Sequence, residues 1–260
     1  MSKVSAKPQV DIDATRQRLE RIGAGHAAEQ LDALLASAVK DEMSPHHFLD
    51  QLLAAELAFR EERRVRTSLR LSGLPNGQTL GNFDFAFQPS VERSRIETLA
   101  TCAWIREKRT LLIQGPPGVG KTHLAIALGV KAVENGFGVL FVRLEELLAS
   151  LRRDVDMSPT KLRRRKYINV ALLIIDEVGF EPMSRHEASL FFRLVSHRYQ
   201  RGSILITTNK GIRDWPEVLA GDEVLATAIL DRLLHNSHVL NIKGRSYRLR
   251  DLERAVAQQV

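Results

Sequence analysis

Eight residues, Gly115-Pro116-Pro117-Gly118-Val119-Gly120-Lys121-Thr122, follow a short apolar run and lead straight into a helix-forming pattern. They fit G-x-x-x-x-G-K-[ST] in full. The glycines let backbone N–H groups close around phosphates, and the helix that follows points its positive end at them. Lys121 has the reach for the two outer phosphates of a nucleoside triphosphate, and Thr122 has the hydroxyl that Mg2+ takes as a ligand. Further along, VALLIIDEVGF (170–180) is an apolar strand ending in two adjacent acids. Asp176 is expected to hold Mg2+ through water, and Glu177 to orient and polarise an attacking water. The strand SILITTN (203–209) ends at Asn209, which is placed to share that water with Glu177. A solvated acidic turn and an ordinary turn asparagine are the competing readings of the last two motifs.

These side chains meet only if the three strand ends lie side by side. Short apolar runs near 111–114, 139–142, 171–175, 203–207 and 238–242 alternate with helical patterns near 90–108, 121–135, 144–153, 187–200 and 223–234. That alternation predicts βαβ crossovers, hence an α/β fold with a parallel sheet covered on both faces in three layers. Ligands of open α/β sheets bind at the carboxyl ends of the strands, where all three motifs fall.

Ahead of this core, 15–40 and 44–70 read as amphipathic helices, the second with Ser44 as N-cap and Pro45 at the first helical position. The predicted organisation is a small all-helical domain over 1–72, a linker over 73–88 rich in glycine and proline, and an α/β domain over 89–260.

The 260 residues carry a net charge of +7, and the excess is uneven. Residues 1–60 hold seven basic against nine acidic side chains, and the remainder 31 against 22. A polyanion is the implied partner. The densest run, 148–168, carries Arg152, Arg153, Lys161, Arg163, Arg164, Arg165 and Lys166 against Asp154 and Asp156. Such a run suits phosphate contacts on DNA with little base readout, and a solvated basic face is the plainer reading. A second cluster, Arg60, Arg63, Arg64, Arg66 and Arg70, is diluted by Glu61 and Glu62. No apolar run approaches the roughly 18 residues of a membrane span. The first dozen residues lack the apolar region of a secretory signal. A single cysteine, Cys102, has no partner for a disulfide or a Cys-based metal site, so a cytoplasmic setting is expected.

Taken together, GPPGVGKTHLA, LLIIDE, ITTN, AILDRLLHNSHVL and GRSYR resemble the AAA+ ATPases of the helicase-loader branch, and most closely the IstB transposition helper proteins of insertion sequences. The likeness covers roughly residues 15–250 and includes the FDF at 83–85. It implies an AAA+ P-loop fold, with ATP and Mg2+ bound by the loop and His123 among the nucleotide-binding residues. By the same resemblance, Arg232 of LDRLL looks like an arginine finger reaching a neighbouring subunit's ATP, and Arg248 like a sensor contacting the γ phosphate. Only 18 residues follow the last predicted strand, so no full C-terminal lid is expected.

The implied function is an ATP-dependent DNA-binding ATPase that oligomerises on duplex DNA, bends or remodels it, and recruits a partner transposase. A replicative helicase loader, with the helical leader gripping a helicase, is the alternative. A small-molecule kinase is allowed by the P-loop alone, but the Asp176-Glu177 pair and Asn209 favour water as acceptor. A DNA-binding adaptor that holds ATP without turnover is the remaining possibility.

Overall fold

The computed structural model describes residues 11–250; the first ten residues, read above for an export signal, lie outside the described residues, as do 251–260. The chain divides into two compact units, Met1–Thr67 and Ser68–Val260.

In the first unit α1 (Ile12–Arg21) and α2 (Gly25–Lys40) precede α3 (Pro45–Ser72), whose residues 68–72 fall to the second unit. The sequence predicted one helix over 15–40; the structure breaks it at Gly23, whose φ of 78° is left-handed and open chiefly to glycine. Ala24, Ala27, Leu31 and Leu52 form this unit's core, with Leu34, Leu35 and Phe48 packed on it. Ser44 caps α3 as expected, its hydroxyl accepting from the His47 amide at 3.3 Å. The arginines of the second basic cluster are largely paired within the helix, Arg60 with Glu56, Arg64 with Glu61 and Arg66 with Glu62.

The second unit runs α4 (Arg93–Ala100), α5 (Ala103–Arg106), β1 (Thr110–Gln114), α6 (Lys121–Glu134), β2 (Val139–Arg143) and α7 (Leu144–Arg153). It continues through α8 (Pro159–Leu162), α9 (Lys166–Asn169), β3 (Leu172–Val178), α10 (Arg185–Arg198), β4 (Ser203–Thr208), α11 (Trp215–Val218), α12 (Glu223–Leu234) and β5 (Ser237–Asn241). The helix expected over 90–108 is split at Cys102, which sits at φ 61°.

All five strands are parallel, in the order β2-β3-β4-β1-β5. The three central strands are buried nearly throughout, as a sheet covered on both faces requires, while β2 and β5 at the edges are mostly half-buried. Leu173 and Ile175 of β3 face a core shared with α7, α10 and α12, which includes Leu147, Phe191 and Ile229. Ile174, pointing the other way, meets α6 so closely that a Cβ on Gly129 would lie 2.7 Å from its Cδ1. Both layers of helix are therefore seated on one sheet, giving the predicted three-layer sandwich.

The order matters for the site because β4 lies between β1 and β3. It sets the ends of the three motif-bearing strands next to one another. Among the described residues no helix is long and apolar enough to cross a membrane.

Candidate nucleotide site

β1 delivers its chain to Gly115 at the carboxyl edge of the sheet, and α6 starts at Lys121 with Gly120 as its N-cap. Gly118 and Gly120 hold φ of 81° and 96°, conformations that L side chains rarely adopt. Space is also short there. A Cβ on Gly115 would lie 2.3 Å from the Ile242 carbonyl oxygen, one on Gly118 2.0 Å from Ser246 Oγ, and one on Gly120 2.7 Å from Phe83 Cε2. Val119 is fully buried and Pro116 and Pro117 stay exposed. Lys121 Nζ donates to the carbonyls of Gly115 and Pro116, each at 2.8 Å. Burial lowers its pKa and the nearby Arg248 adds to this, against the pull of Asp176 and Glu177.

Two segments wall the loop. The first, Asn82 to Val91, includes Phe83, which stands edge-on to His123 at 5.3 Å between centroids. His123 Nε2 donates to the Thr79 carbonyl at 2.8 Å, so this side chain faces the wall of the cleft and ties it to α6. The second, Ile242 to Arg250, donates from the Tyr247 amide to the Gly118 carbonyl at 2.9 Å. The two walls are joined to each other. Gln88 Nε2 donates to the Arg245 carbonyl at 3.1 Å, Ser90 Oγ to the Lys243 carbonyl at 2.8 Å, and Arg250 pairs with Asp84 at 3.2 Å. The stretch 73–88, expected as a linker, is thus packed onto the second unit, because Phe83 and Leu74 fill the space that Gly120 and Gly129 leave without a Cβ.

Across the cleft, Thr122 Oγ1 lies 2.9 and 3.1 Å from the two oxygens of Asp176, which is 2% exposed. Thr207 on β4 donates its hydroxyl to Asp176 Oδ1 and accepts from the Glu177 amide at 3.0 Å. β3 shifts register between Ile175 and Val178, and Glu177 takes φ 63°. That irregularity keeps Asp176 buried while turning Glu177 out to solvent. Arg143, at the end of β2 and in register with Asp176, lies 3.7 Å from Glu177 Oε2. Glu177, Asn209, Lys121, Thr122, His123, Tyr247 and Arg248 line one cleft of about 390 Å³.

Arg232 is elsewhere. Its Nη1 donates to the Ala228 carbonyl at 2.7 Å, and its guanidinium lies 4.9 Å from the Phe192 ring centroid. It lines a separate hollow with Thr110, the first residue of β1, and Ile204, the second of β4, and so lies at the end of the sheet opposite the P-loop. The seven basic residues of 152–166 also lie outside the cleft.

Thr207, Phe83 and Arg143 carry contacts that the sequence reading assigned to no role. A threonine ending the strand before Asn209 and the aromatic of FDF were the available signals; nothing local marked Arg143.

The loop glycines, the lysine and the Thr122–Asp176 pair suit a nucleoside triphosphate with Mg2+, which takes few protein ligands and keeps phosphate oxygens and water. Residues 17–255 match the family described as IstB-like ATP binding protein. The chain is 46% identical over 237 residues to the protein named for ATP binding in insertion sequence IS21 of Pseudomonas aeruginosa, covering 91% of this chain and 89% of that one. It is 40% identical to the corresponding protein of IS5376 from Geobacillus stearothermophilus, covering 86% and 89%. Among solved structures, the replication initiator DnaA bound to AMPPCP and single-stranded DNA superposes with a TM-score of 0.55 at 19% identity, over 72% of this chain and 56% of that one. The DnaC helicase loader does so with a TM-score of 0.50 at 24% identity, over 64% and 97%. These two likenesses are of fold.

Proposed function

This chain belongs to the IstB-like ATP binding protein family, AAA+ ATPases of insertion sequences, and we propose that it uses ATP to assemble on duplex DNA, remodel it and recruit the transposase of its element. The observation that carries the reading is the joining of Lys121, Thr122, Asp176, Glu177 and Asn209 at one sheet edge while Arg232 stands at the other.

Within one subunit, Lys121 and the loop amides hold the phosphates, and Arg248 contacts the γ phosphate from the cleft wall. Thr122 and Asp176, the latter through water, would hold Mg2+, which would neutralise charge on the phosphates. Glu177 orients the attacking water and draws on its proton, and Asn209 shares that water. Arg232 serves a second copy, where a positive charge at the transferring phosphoryl group is worth about 10³ to 10⁵ in rate. A subunit so arranged has half a site on each edge, and hydrolysis is coupled to assembly. The basic segment Arg152 to Lys166 faces the phosphates of DNA.

The test is electron microscopy of Glu177→Gln protein with ATP and duplex DNA, with and without the element's transposase. Ordered oligomers on DNA that gain transposase density are expected. Particles that stay monomeric on DNA at low salt would sink the reading.

A further inference from the structure

The seven basic side chains from the last turn of α7 to the start of α9 have unequal surroundings. Arg152 is ion-paired with Glu187, itself held by the Ser184 hydroxyl and amide in the capping box of α10. Arg165 pairs with Asp154, and Arg153 lies 4.0 Å from the same carboxylate while also donating to Ser150 Oγ at 3.3 Å. Lys166 donates to the Leu71 carbonyl at 3.2 Å. Lys161, Arg163 and Arg164 are exposed, and their side-chain nitrogens donate to no side chain or carbonyl among the described residues.

Asp154 is the centre of this division. Its side chain is 1% exposed, a costly place for a carboxylate unless it is paired and hydrogen-bonded. Besides Arg165 it accepts from the buried Tyr167 hydroxyl at 2.7 Å. Asp154 ends α7 and Tyr167 lies in α9, so the pair closes the loop carrying α8 and its flanking cations. The backbone between is tightly turned, with Leu162, Arg163, Arg164 and Arg165 amides all bonded to carbonyls three or four residues back. The result is a short, stiff turn with three unpaired cations on its outside.

We propose that Lys161, Arg163 and Arg164 alone meet the phosphates of duplex DNA, on a turn held in place by the Asp154–Tyr167 clasp, while Arg152, Arg153, Arg165 and Lys166 are occupied within the fold. This rests on the DNA-binding reading above and divides its seven residues into three that contact and four that do not. Tyr167 is a positioning residue.

The experiment measures binding of full-length protein with ATP to a fluorescent DNA duplex over a salt series. Two triple variants remove the same charge: K161A/R163A/R164A and R152Q/R153Q/K166Q. The first is expected to flatten the slope of log K against log salt by about 2.7 per subunit, three phosphate contacts at about 0.9 each. The second is expected to keep the wild-type slope. Tyr167→Phe keeps every charge, so its expected loss of roughly 3- to 10-fold in affinity, the value of one hydrogen bond, together with a flatter slope reports position rather than charge. Equal flattening in both triple variants, or none in the first, overturns the division. Wild-type protein that fails to bind duplex DNA overturns the DNA-binding reading itself, a result distinct from either.

Discussion

The Thr207 hydroxyl, on β4, donates to Asp176 Oδ1 on β3 while accepting from the amide of Glu177. One small side chain therefore orients, from the neighbouring strand, both the Asp176 carboxylate and the backbone from which Glu177 projects, the two acids proposed for metal and water. Thr207→Val keeps the shape and removes both bonds. We expect kcat for ATP hydrolysis to fall about 10-fold with nucleotide affinity nearly unchanged, and unfolding free energy to drop by about 1–3 kcal/mol for the buried groups left unpaired. Hydrolysis assays beside denaturant melts separate the two effects.

Lys121→Ala and Glu177→Gln should part binding from chemistry. Loss of the lysine removes charge-assisted bonds to phosphate and should weaken ATP binding by roughly 10- to 100-fold. Loss of the carboxylate should leave ATP bound and lower hydrolysis by about 10²- to 10⁴-fold. Nucleotide titration and single-turnover hydrolysis on the two variants check this.

Arg232 lies at the end of the sheet opposite its own P-loop, which lets its proposed role as a finger be tested by mixing. Arg232→Ala and Lys121→Ala proteins are each expected to be inactive, the former down about 10³-fold or more. Mixed together they should regain a fraction of wild-type hydrolysis, because an Arg232→Ala subunit keeps its P-loop and borrows an arginine from its Lys121→Ala neighbour. No recovery on mixing would assign Arg232 to its own helix.

Gly118→Ala meets two obstacles, a φ of 81° and the Ser246 side chain 2.0 Å from the new methyl group. The double variant G118A/S246G clears the space but leaves the backbone strained by about 1–3 kcal/mol. Nucleotide binding should be lost in the single variant and only partly restored in the double, as read by calorimetric titration.

Acid should loosen the fold in a defined window. Burial pushes the pKa of His197 down, helped by Arg201, Arg163 and Arg198, and burial likewise lowers His238, helped by Arg109 and Arg95 against Glu107. Both histidines are therefore more easily protonated when the chain is unfolded. Their cost is absent above the unfolded value of about 6.5 and grows as pH falls through it toward the lower folded values. Tm should decline between about pH 7 and 5.5, and H197Q/H238Q should flatten that decline.

The P-loop, the Asp176-Glu177 pair and Asn209 were legible because each is a local pattern, an apolar strand followed by a particular ending. The strand spans themselves differ from expectation by only a residue or two, except for β3, which runs three further, to Val178. The breaks at Gly23 and Cys102 were hidden because the apolar periodicity continues across them, and only the backbone angle changes. The packing of 74–88 escaped notice since glycine and proline signal a turn whether or not its apolar residues find a seat. The division of the basic run depends on Glu187 and on a buried tyrosine, partners chosen by tertiary contact rather than by spacing. Composition counts charges without telling which are already answered.

The joined walls around the P-loop also set a schedule for synthesis. Gly115, Gly118 and Gly120 are enclosed on one side by Phe83, made before them, and on the other by Ile242 and Ser246, made well after. At 5–20 residues per second, the interval between the loop and its second wall leaving the ribosome is on the order of 10 s. β5, which pairs with β1, arrives in the same late stretch. Throughout that time the nascent chain carries the complete P-loop sequence without the enclosure that shapes it, so the loop takes its final surroundings only once β5 and the segment through Ser246 have been made.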